Sequence, residues 1–148
     1  MNNPTFILLE RNRAMKEYDV IVVGAGPAGS AAARAASSQG AHVIMIEEHP
    51  VIGAPRHCPG RLHSSSFTQE IIKDLDPRVI VCEYHSRRYF APSGKVIKET
   101  ALPAGNVFQV LRDEFDRDLA RQAALAGAEI VLSTRVTGLY KEKDRIRG

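Results

Sequence analysis

One stretch of this 148-residue chain constrains its fold more than any other, the segment YDVIVVGAGPAGSAAARAASSQGAHVIMIEE at residues 18–48. It contains two short apolar runs, 19–23 and 42–46, of the kind typical of strands buried on both faces of a parallel sheet. Between them, the alanine-rich residues 27–39 predict a helix that Gly40 ends. A strand, a helix and a strand of these lengths predict a parallel βαβ unit.

Three glycines follow the first predicted strand and open the predicted helix. Gly24, Gly26 and Gly29 form the pattern G-x-G-x-x-G. The first glycine permits a tight turn, the second lets the backbone approach a pyrophosphate, and the third lets the helix pack closely on the strand. Free amides at the start of the helix would then bind the anion. The alternative interpretation is an ordinary glycine-rich turn.

An acidic residue, Glu47, ends the second predicted strand. From this position a carboxylate accepts hydrogen bonds from a ribose 2′-hydroxyl and disfavours a 2′-phosphate. The pattern therefore predicts a dinucleotide site, although it does not distinguish FAD from NAD. For Glu47 alone, the alternative is a solvated carboxylate at a strand end.

Downstream, the sequence predicts an antiparallel insertion and a second crossover helix. The residues from 48 to 65 indicate a long functional loop, and Ser66 with Gln69 resembles a capping box at the start of a helix. The further predicted elements are strands at 78–84 and 95–98 joined through APSG, a helix at 111–126, a return to the parallel sheet at 129–132, and a hairpin formed by 136–140 and the residues from 145 onward.

Composition excludes some classes of function. A formal net charge of +3 is too small and too dispersed for a nucleic-acid-binding face. Two cysteines and the lack of a signal-like segment favour a reducing cytoplasm. Residues 1–15 are interpreted as a disordered tail, or as an extension ahead of a true start at Met15.

The segments YDVIVVGAGPAGSAAARAA, GAPRHCPGRL and LRDEFDRDLARQAALAGAEI, in this order, resemble the geranylgeranyl reductase family of flavoproteins. The resemblance covers about residues 16–148, and PxxCxG at 55–60 is its narrower signal. It implies an α/β fold, with a Rossmann-like FAD-binding βαβ unit, a parallel sheet and a small antiparallel insertion at about 77–108. It also implies that the chain is part of an FAD-dependent enzyme that reduces isolated double bonds of isoprenoid chains.

The resemblance further implies roles for particular residues. The ADP half of FAD would be held by Gly24, Gly26, Pro27, Ala28, Gly29, Glu47 and Glu48. Arg112 would contact the cofactor and Val136 would lie near the adenine. The loop with Cys58 and Gly60 would approach the isoalloxazine and the substrate, with Cys58 as the candidate catalytic residue. The expected substrate is a prenyl lipid or prenyl diphosphate, the electron donor NAD(P)H or reduced ferredoxin, and any membrane contact peripheral.

Several structural interpretations compete with these roles. Cys58 is alternatively a buried inert thiol, and Arg112 a helix residue paired with Asp116. The basic loop residues Arg56, His57, Arg61 and His63 are either solvated or an anion-binding patch. Cys58, His63, Cys82 and His85 also provide the ligand types of a zinc site, although their spacing is imperfect, and strand alternation predicts that Cys82 is buried beside Ile80 and Tyr84. No metal site is predicted.

The family's later glycine-aspartate motif does not occur in these residues, so the chain is interpreted as the N-terminal portion of a longer enzyme. Two alternatives remain open. One is a flavin monooxygenase or an electron-transfer flavoprotein-quinone oxidoreductase relative. The other is a truncated module that binds ADP and has no activity.

Overall fold

A computed structural model of the protein describes residues 16–63, 66–104 and 107–148, without the side chains of 66–69 and 145. The expectation for residues 1–15 and the side-chain contacts of the capping box lie outside this description. The elements, in chain order, are β1 (Val20–Val23), α1 (Pro27–Ser38), β2 (Val43–Ile46), β3 (Arg61–His63), α2 (Ser66–Lys73), a 3-10 turn (Pro77–Val79), β4 (Ile80–Glu83), β5 (Ser86–Phe90), β6 (Val96–Ala101), β7 (Val107–Val110), α3 (Arg112–Leu125), β8 (Glu129–Val131), β9 (Lys141–Glu142) and β10 (Arg145–Ile146).

The predicted parallel βαβ unit is confirmed. Strand β1 pairs in parallel with β2, which pairs in parallel with β8, so β2 is the central strand of the three. Both β1 and β2 begin one residue later than predicted. At their start, the His42 amide donates to a carboxylate oxygen of Asp19 at 2.8 Å, and the His42 carbonyl oxygen accepts from the Asp19 amide at 2.9 Å.

The main core lies between one face of this sheet and the two crossover helices. Val43 and Met45 of β2 are buried against Ala33 of α1 and Ala120 and Ala123 of α3. The small alanine side chains allow both helices to pack closely on the sheet and on each other. The apolar face predicted for the second crossover helix is confirmed for Phe115, Leu119 and Ala123, which are buried. Of the two outer positions predicted for this face, Ala126 is the C-cap and Leu111, the N-cap, is 39% exposed.

The prediction that β1 is buried on both faces is wrong. Ile21 and Val23 remain 45% and 62% exposed. The physical reason is that α1 and α3 pack on the same side of the sheet, against Val20, Val22 and their neighbours. In the described part of the chain, no helix packs on the opposite face, where Ile21 and Val23 lie.

The predicted antiparallel insertion is present, with a different pairing of strands. The turn APSG joins β5 to β6 rather than β4 to β6, and β4 instead pairs with β7 in the sheet β3-β7-β4. Part of the predicted long loop also forms β3, which pairs with β7. In the last hairpin, the first strand is β9 rather than 136–140, and Lys143 and Asp144 form the turn between β9 and β10.

The predicted burial of Cys82 is also wrong, since its thiol is exposed. Strand β4 has an irregularity at this point: Ile80 pairs with Val110, but Cys82 pairs with Gln109. Two steps along β4 therefore match one step along β7, and such a bulge breaks the alternation of sides on which the prediction depended.

Gly29 permits the closest approach between α1 and β1. A Cβ atom added there would overlap the carbonyl oxygen of Gly24 and lie 3.1 Å from its carbonyl carbon. We expect Gly29→Ala to lower the free energy of unfolding by about 1 to 3 kcal/mol, because the helix must move off the strand. Urea denaturation of the purified chain measures this.

Gly26→Ala is the matched control for that substitution. Gly26 has φ −74° and a Cβ there would meet no atom within 4 Å. Its cost should therefore be less than about 1 kcal/mol. Equal costs for the two substitutions would show that the close packing at Gly29 does not limit stability.

Candidate functional site

The glycine-rich turn leads from β1 directly into the start of α1. Gly24 has φ +94°, a conformation that L side chains rarely adopt, and its amide donates to the Ile46 carbonyl oxygen at 2.8 Å. Gly26 is the N-cap of α1, and no side chain caps this helix end. The positive end of the helix dipole is therefore available to an anionic ligand.

The three glycines meet three separate requirements. Gly24 supplies the left-handed turn, and Gly29 supplies the close contact between helix and strand. Gly26 has only open space where a side chain would be. That space lies at the uncapped helix end, so it fits a phosphate group of a bound nucleotide.

The carboxylate of Glu47 is held beside this turn. Its Oε2 accepts from the Ala25 amide at 2.8 Å, while its Oε1 accepts from the His49 amide at 3.0 Å and contacts His49 Nδ1 at 2.6 Å. Burial alone would raise the pKa of Glu47, but the hydrogen bonds from Ala25 and His49 outweigh it, and the pKa lies below its ordinary value. The ionised form is therefore favoured.

Backbone hydrogen bonds connect the end of β2 to the loop after β8. The Glu47 amide donates to the Val131 carbonyl oxygen at 2.8 Å, and the Thr134 amide donates to the Glu47 carbonyl oxygen at 2.9 Å. Next to them, Arg135 Nε lies 3.2 Å from Glu48 Oε2. These contacts bring the chain around Val136 to the same end of the sheet as the glycine-rich turn.

A cleft of about 480 Å³ lies at this end of the sheet. Six of the residues predicted for cofactor binding line it, namely Gly24, Gly26, Glu47, Glu48, Arg112 and Val136. The other predicted residues are not among those lining it, namely Pro27, Ala28, Gly29, Cys58 and Gly60. The cofactor-binding role of every one of these residues stays a prediction.

Sequence reasoning missed several residues of the cleft wall, among them Ala25, His49, Thr134 and Arg135. Ala25 lies inside the glycine pattern and contributes through its amide, so its side chain gave no signal. His49 is two residues beyond Glu47, and its nearness in sequence to that carboxylate is the one signal that could have indicated their contact. Thr134 and Arg135 reach the cleft through strand pairing that links distant parts of the chain.

The first turn of α3 forms the opposite wall of the cleft. Arg112 Nε donates to Asp116 Oδ1 at 2.7 Å. This hydrogen bond is the main reason why the pKa of Arg112 is raised. The pairing considered as an alternative is therefore present, and Arg112 lines the cleft as well. Asp113 lies 2.7 Å from a guanidinium nitrogen of Arg56, a nearby acid that the sequence did not reveal.

Cys58 lies on the loop that precedes β3. Its thiol is exposed, so the interpretation as a buried inert thiol is wrong. The Gly60 amide donates to Sγ at 3.5 Å, and this bond, with a further contribution from Arg112, places the pKa of Cys58 below that of an ordinary thiol. Among the described residues, no three His, Cys, Asp or Glu side chains are grouped closely enough to hold a metal ion.

None of the helices in the described part of the chain combines the length and the apolar character that crossing a membrane requires.

The lowered pKa of Glu47 predicts how stability depends on pH. The ionised carboxylate contributes fully above the ordinary value of 4.5, and that contribution is lost as the pH falls through the lowered pKa. At neutral pH, Glu47→Gln should unfold at a lower urea concentration, because an amide nitrogen would face a donor from Ala25 or His49. The difference from wild type should shrink as the pH falls below 4.5 and through the lowered pKa of Glu47.

Glu48→Gln is the control for that measurement, since Glu48 makes an exposed ion pair with Arg135. It should change the unfolding midpoint little at any pH. A difference for Glu47→Gln that is independent of pH would contradict the geometry described for Glu47.

Comparison with known proteins confirms the resemblance to geranylgeranyl reductases. Digeranylgeranylglycerophospholipid reductase of Methanocella arvoryzae is 42% identical over 134 residues, which are 89% of this chain and 34% of that protein. The chain thus spans about a third of the length of the curated relatives it matches.

Solved structures with the same fold include a geranylgeranyl bacteriochlorophyll reductase-like protein of Thermoplasma acidophilum. Its TM-score is 0.77 at 35% identity, covering 90% of this chain and 34% of that one. A flavin-dependent brominase has a TM-score of 0.67 at 24% identity, over 88% of this chain and 33% of its own, and shares the fold alone. A family profile described as FAD dependent oxidoreductase matches residues 19–148. The chain therefore belongs to the FAD dependent oxidoreductase family.

Proposed function

We propose that this chain forms the ADP-binding half of the FAD site in a reductase that saturates isoprenoid double bonds of prenyl lipids. One observation carries the proposal: the ionised Glu47 carboxylate is bonded to the Ala25 amide, inside the turn that ends at the uncapped start of α1. This geometry supports a phosphate site and a ribose site on the wall of one cleft.

The residues present fit the nucleotide half of FAD. The diphosphate would lie at the start of α1, over Gly26, where no protein atom fills the space. The adenosine ribose would bond to Glu47, and Val136, on the loop after β8, would lie near the adenine. Arg112 lines the cleft and carries a positive charge, so it would face the diphosphate or the flavin side of the molecule.

When bound, FAD supplies the hydride chemistry of such a reductase. The chain's own contributions are to bind the nucleotide, to orient it, and to hold a proton at Cys58 Sγ. The hydrogen bond from the Gly60 amide lowers the pKa of Cys58, and this supports the last role because it makes the thiol a better proton donor than an ordinary cysteine. Gly60, whose amide contacts Sγ, would position this thiol.

The proposed substrate class is a prenyl lipid or a prenyl diphosphate. It is supported by the printed name of the relative that is 42% identical, a reductase of digeranylgeranylglycerophospholipid. NAD(P)H or reduced ferredoxin is the proposed electron donor. We propose a cytoplasmic location for the enzyme. Because its lipid substrate would reside in a membrane, the enzyme would contact the inner face of that membrane peripherally.

The runner-up is a flavin-dependent monooxygenase, or an electron-transfer flavoprotein-quinone oxidoreductase relative. It would share the βαβ unit of this chain, and the likeness to a flavin-dependent brominase is one of fold alone. The higher identity to named reductases favours the reductase. A module that binds ADP without activity remains the third outcome of the tests below.

The first test is FAD binding by the chain itself. Gly26→Val should abolish binding, because its side chain fills the space for phosphate, and should leave the fold intact, because no protein atom lies within 4 Å of the new Cβ. Quenching of flavin fluorescence measures the affinity. Gly138→Val, another open position on the loop after β8, should bind as wild type does. Equal FAD affinity in both variants would refute the proposed phosphate site.

The second test is turnover, measured on a protein that contains this chain and has the full length of the curated relatives, of which the chain spans about a third. With a reduced donor and a prenyl lipid, mass spectrometry should detect addition of hydrogen, and oxygenated product would instead support the monooxygenase.

Cys58→Ala should slow turnover by roughly tenfold or more. Cys82→Ala is the matched control, because that thiol is also exposed, and it should have no effect. Equal rates would remove Cys58 from the reaction.

A further inference from the structure

His49 contacts Glu47 through two donors. Its backbone amide donates to Glu47 Oε1 at 3.0 Å, and its ring atom Nδ1 lies 2.6 Å from the same oxygen. An ionised carboxylate only accepts hydrogen bonds, so the proton of this contact is on Nδ1. The ring therefore donates to Glu47 through this nitrogen.

These contacts leave the carboxylate with few open acceptor sites. A carboxylate has about four lone-pair positions. His49 takes two of them on Oε1, and the Ala25 amide takes one on Oε2. The remaining position is on Oε2, the oxygen beside the glycine-rich turn. Glu47 is thus fixed in orientation and has room for about one further hydrogen bond.

The ring of His49 is not part of the core. Its side chain is 40% exposed and lines the cleft, whereas its backbone is held by the Ser133 amide, which donates to the His49 carbonyl oxygen at 3.2 Å. Removing the ring therefore disturbs the contact with Glu47 while leaving the backbone contacts in place. If the ring of His49 had a purely structural role, its removal would lower the stability of the fold. A side chain that is 40% exposed does not favour such a role.

We propose that His49 is a positioning residue for the ribose-binding carboxylate: through Nδ1 it holds Glu47 so that one oxygen is presented to a ribose 2′-hydroxyl. The inference rests on the proposed nucleotide site and adds to it a residue outside the glycine pattern. It acts through Glu47 and need not touch the cofactor.

Three substitutions separate this role from direct contact with the ligand. In His49→Asn the side-chain amide lies near the position of Nδ1, and in His49→Gln it lies nearer that of Nε2. His49→Ala removes both. We expect His49→Ala and His49→Gln to bind FAD roughly three- to tenfold more weakly, the effect of one lost hydrogen bond, and His49→Asn to bind almost as wild type does. His42→Ala, an exposed histidine at the other end of β2, is the control and should not change affinity.

A second readout is specific to the ribose. Wild type should bind ADP more tightly than 2′-deoxy-ADP, and in His49→Ala this preference should shrink, because the carboxylate is no longer held for the 2′-hydroxyl. A loss of stability alone would weaken both ligands equally. Thermal unfolding of each variant without ligand shows whether the fold is retained.

The outcomes distinguish this inference from the proposed function. If wild type does not bind FAD, both are overturned. If wild type binds FAD and His49→Ala binds equally well, only the role of His49 is overturned. Rescue by Gln instead of Asn would also overturn it, since that would place the important atom at Nε2, in contact with the ligand.

Discussion

The contact between Gly29 and the carbonyl of Gly24 is the constraint on which the rest of the site depends. It is possible because Gly29 has no Cβ, and it sets the start of α1 directly over the end of β1. The uncapped helix end and the open position at Gly26 follow from this placement. A larger residue would separate helix and strand, and the phosphate site would lose its shape without any change in the residues that form it.

Glu47 connects this turn to the rest of the cleft. Its side chain bonds to the Ala25 amide, and its backbone bonds to the loop after β8. The pairing of β2 with β1 and β8 therefore brings three separate segments to one place, and the first turn of α3 adds Arg112 as a fourth. The side-chain contacts of Glu47 lie within the first βαβ unit and the residues just after it, whereas the assembly of the cleft needs the whole parallel sheet.

What the sequence predicted correctly depends on short-range patterns. The β1, α1 and β2 elements were found because apolar runs, alanines and glycines lie next to one another in the chain. Helix α3 was found from the spacing of Leu111, Phe115, Leu119, Ala123 and Ala126. The errors arise where distant residues decide. Arg61–His63 is a strand only because β7 lies beside it, and Cys82 is exposed only because β4 is irregular against the same strand. Burial of Ile21 and Val23 depends on what covers the second face of the sheet. His49 was missed because its role depends on the rotamer of Glu47, which no periodicity encodes.

The central claim is that the glycine-rich turn holds a diphosphate and that Glu47 holds the ribose attached to it. The most direct measurement is a crystal structure of the protein with bound FAD. The account predicts that the diphosphate lies against the start of α1 above Gly26, with a ribose hydroxyl bonded to Glu47 Oε2. A nucleotide bound elsewhere, with protein atoms filling the space at Gly26, would contradict it.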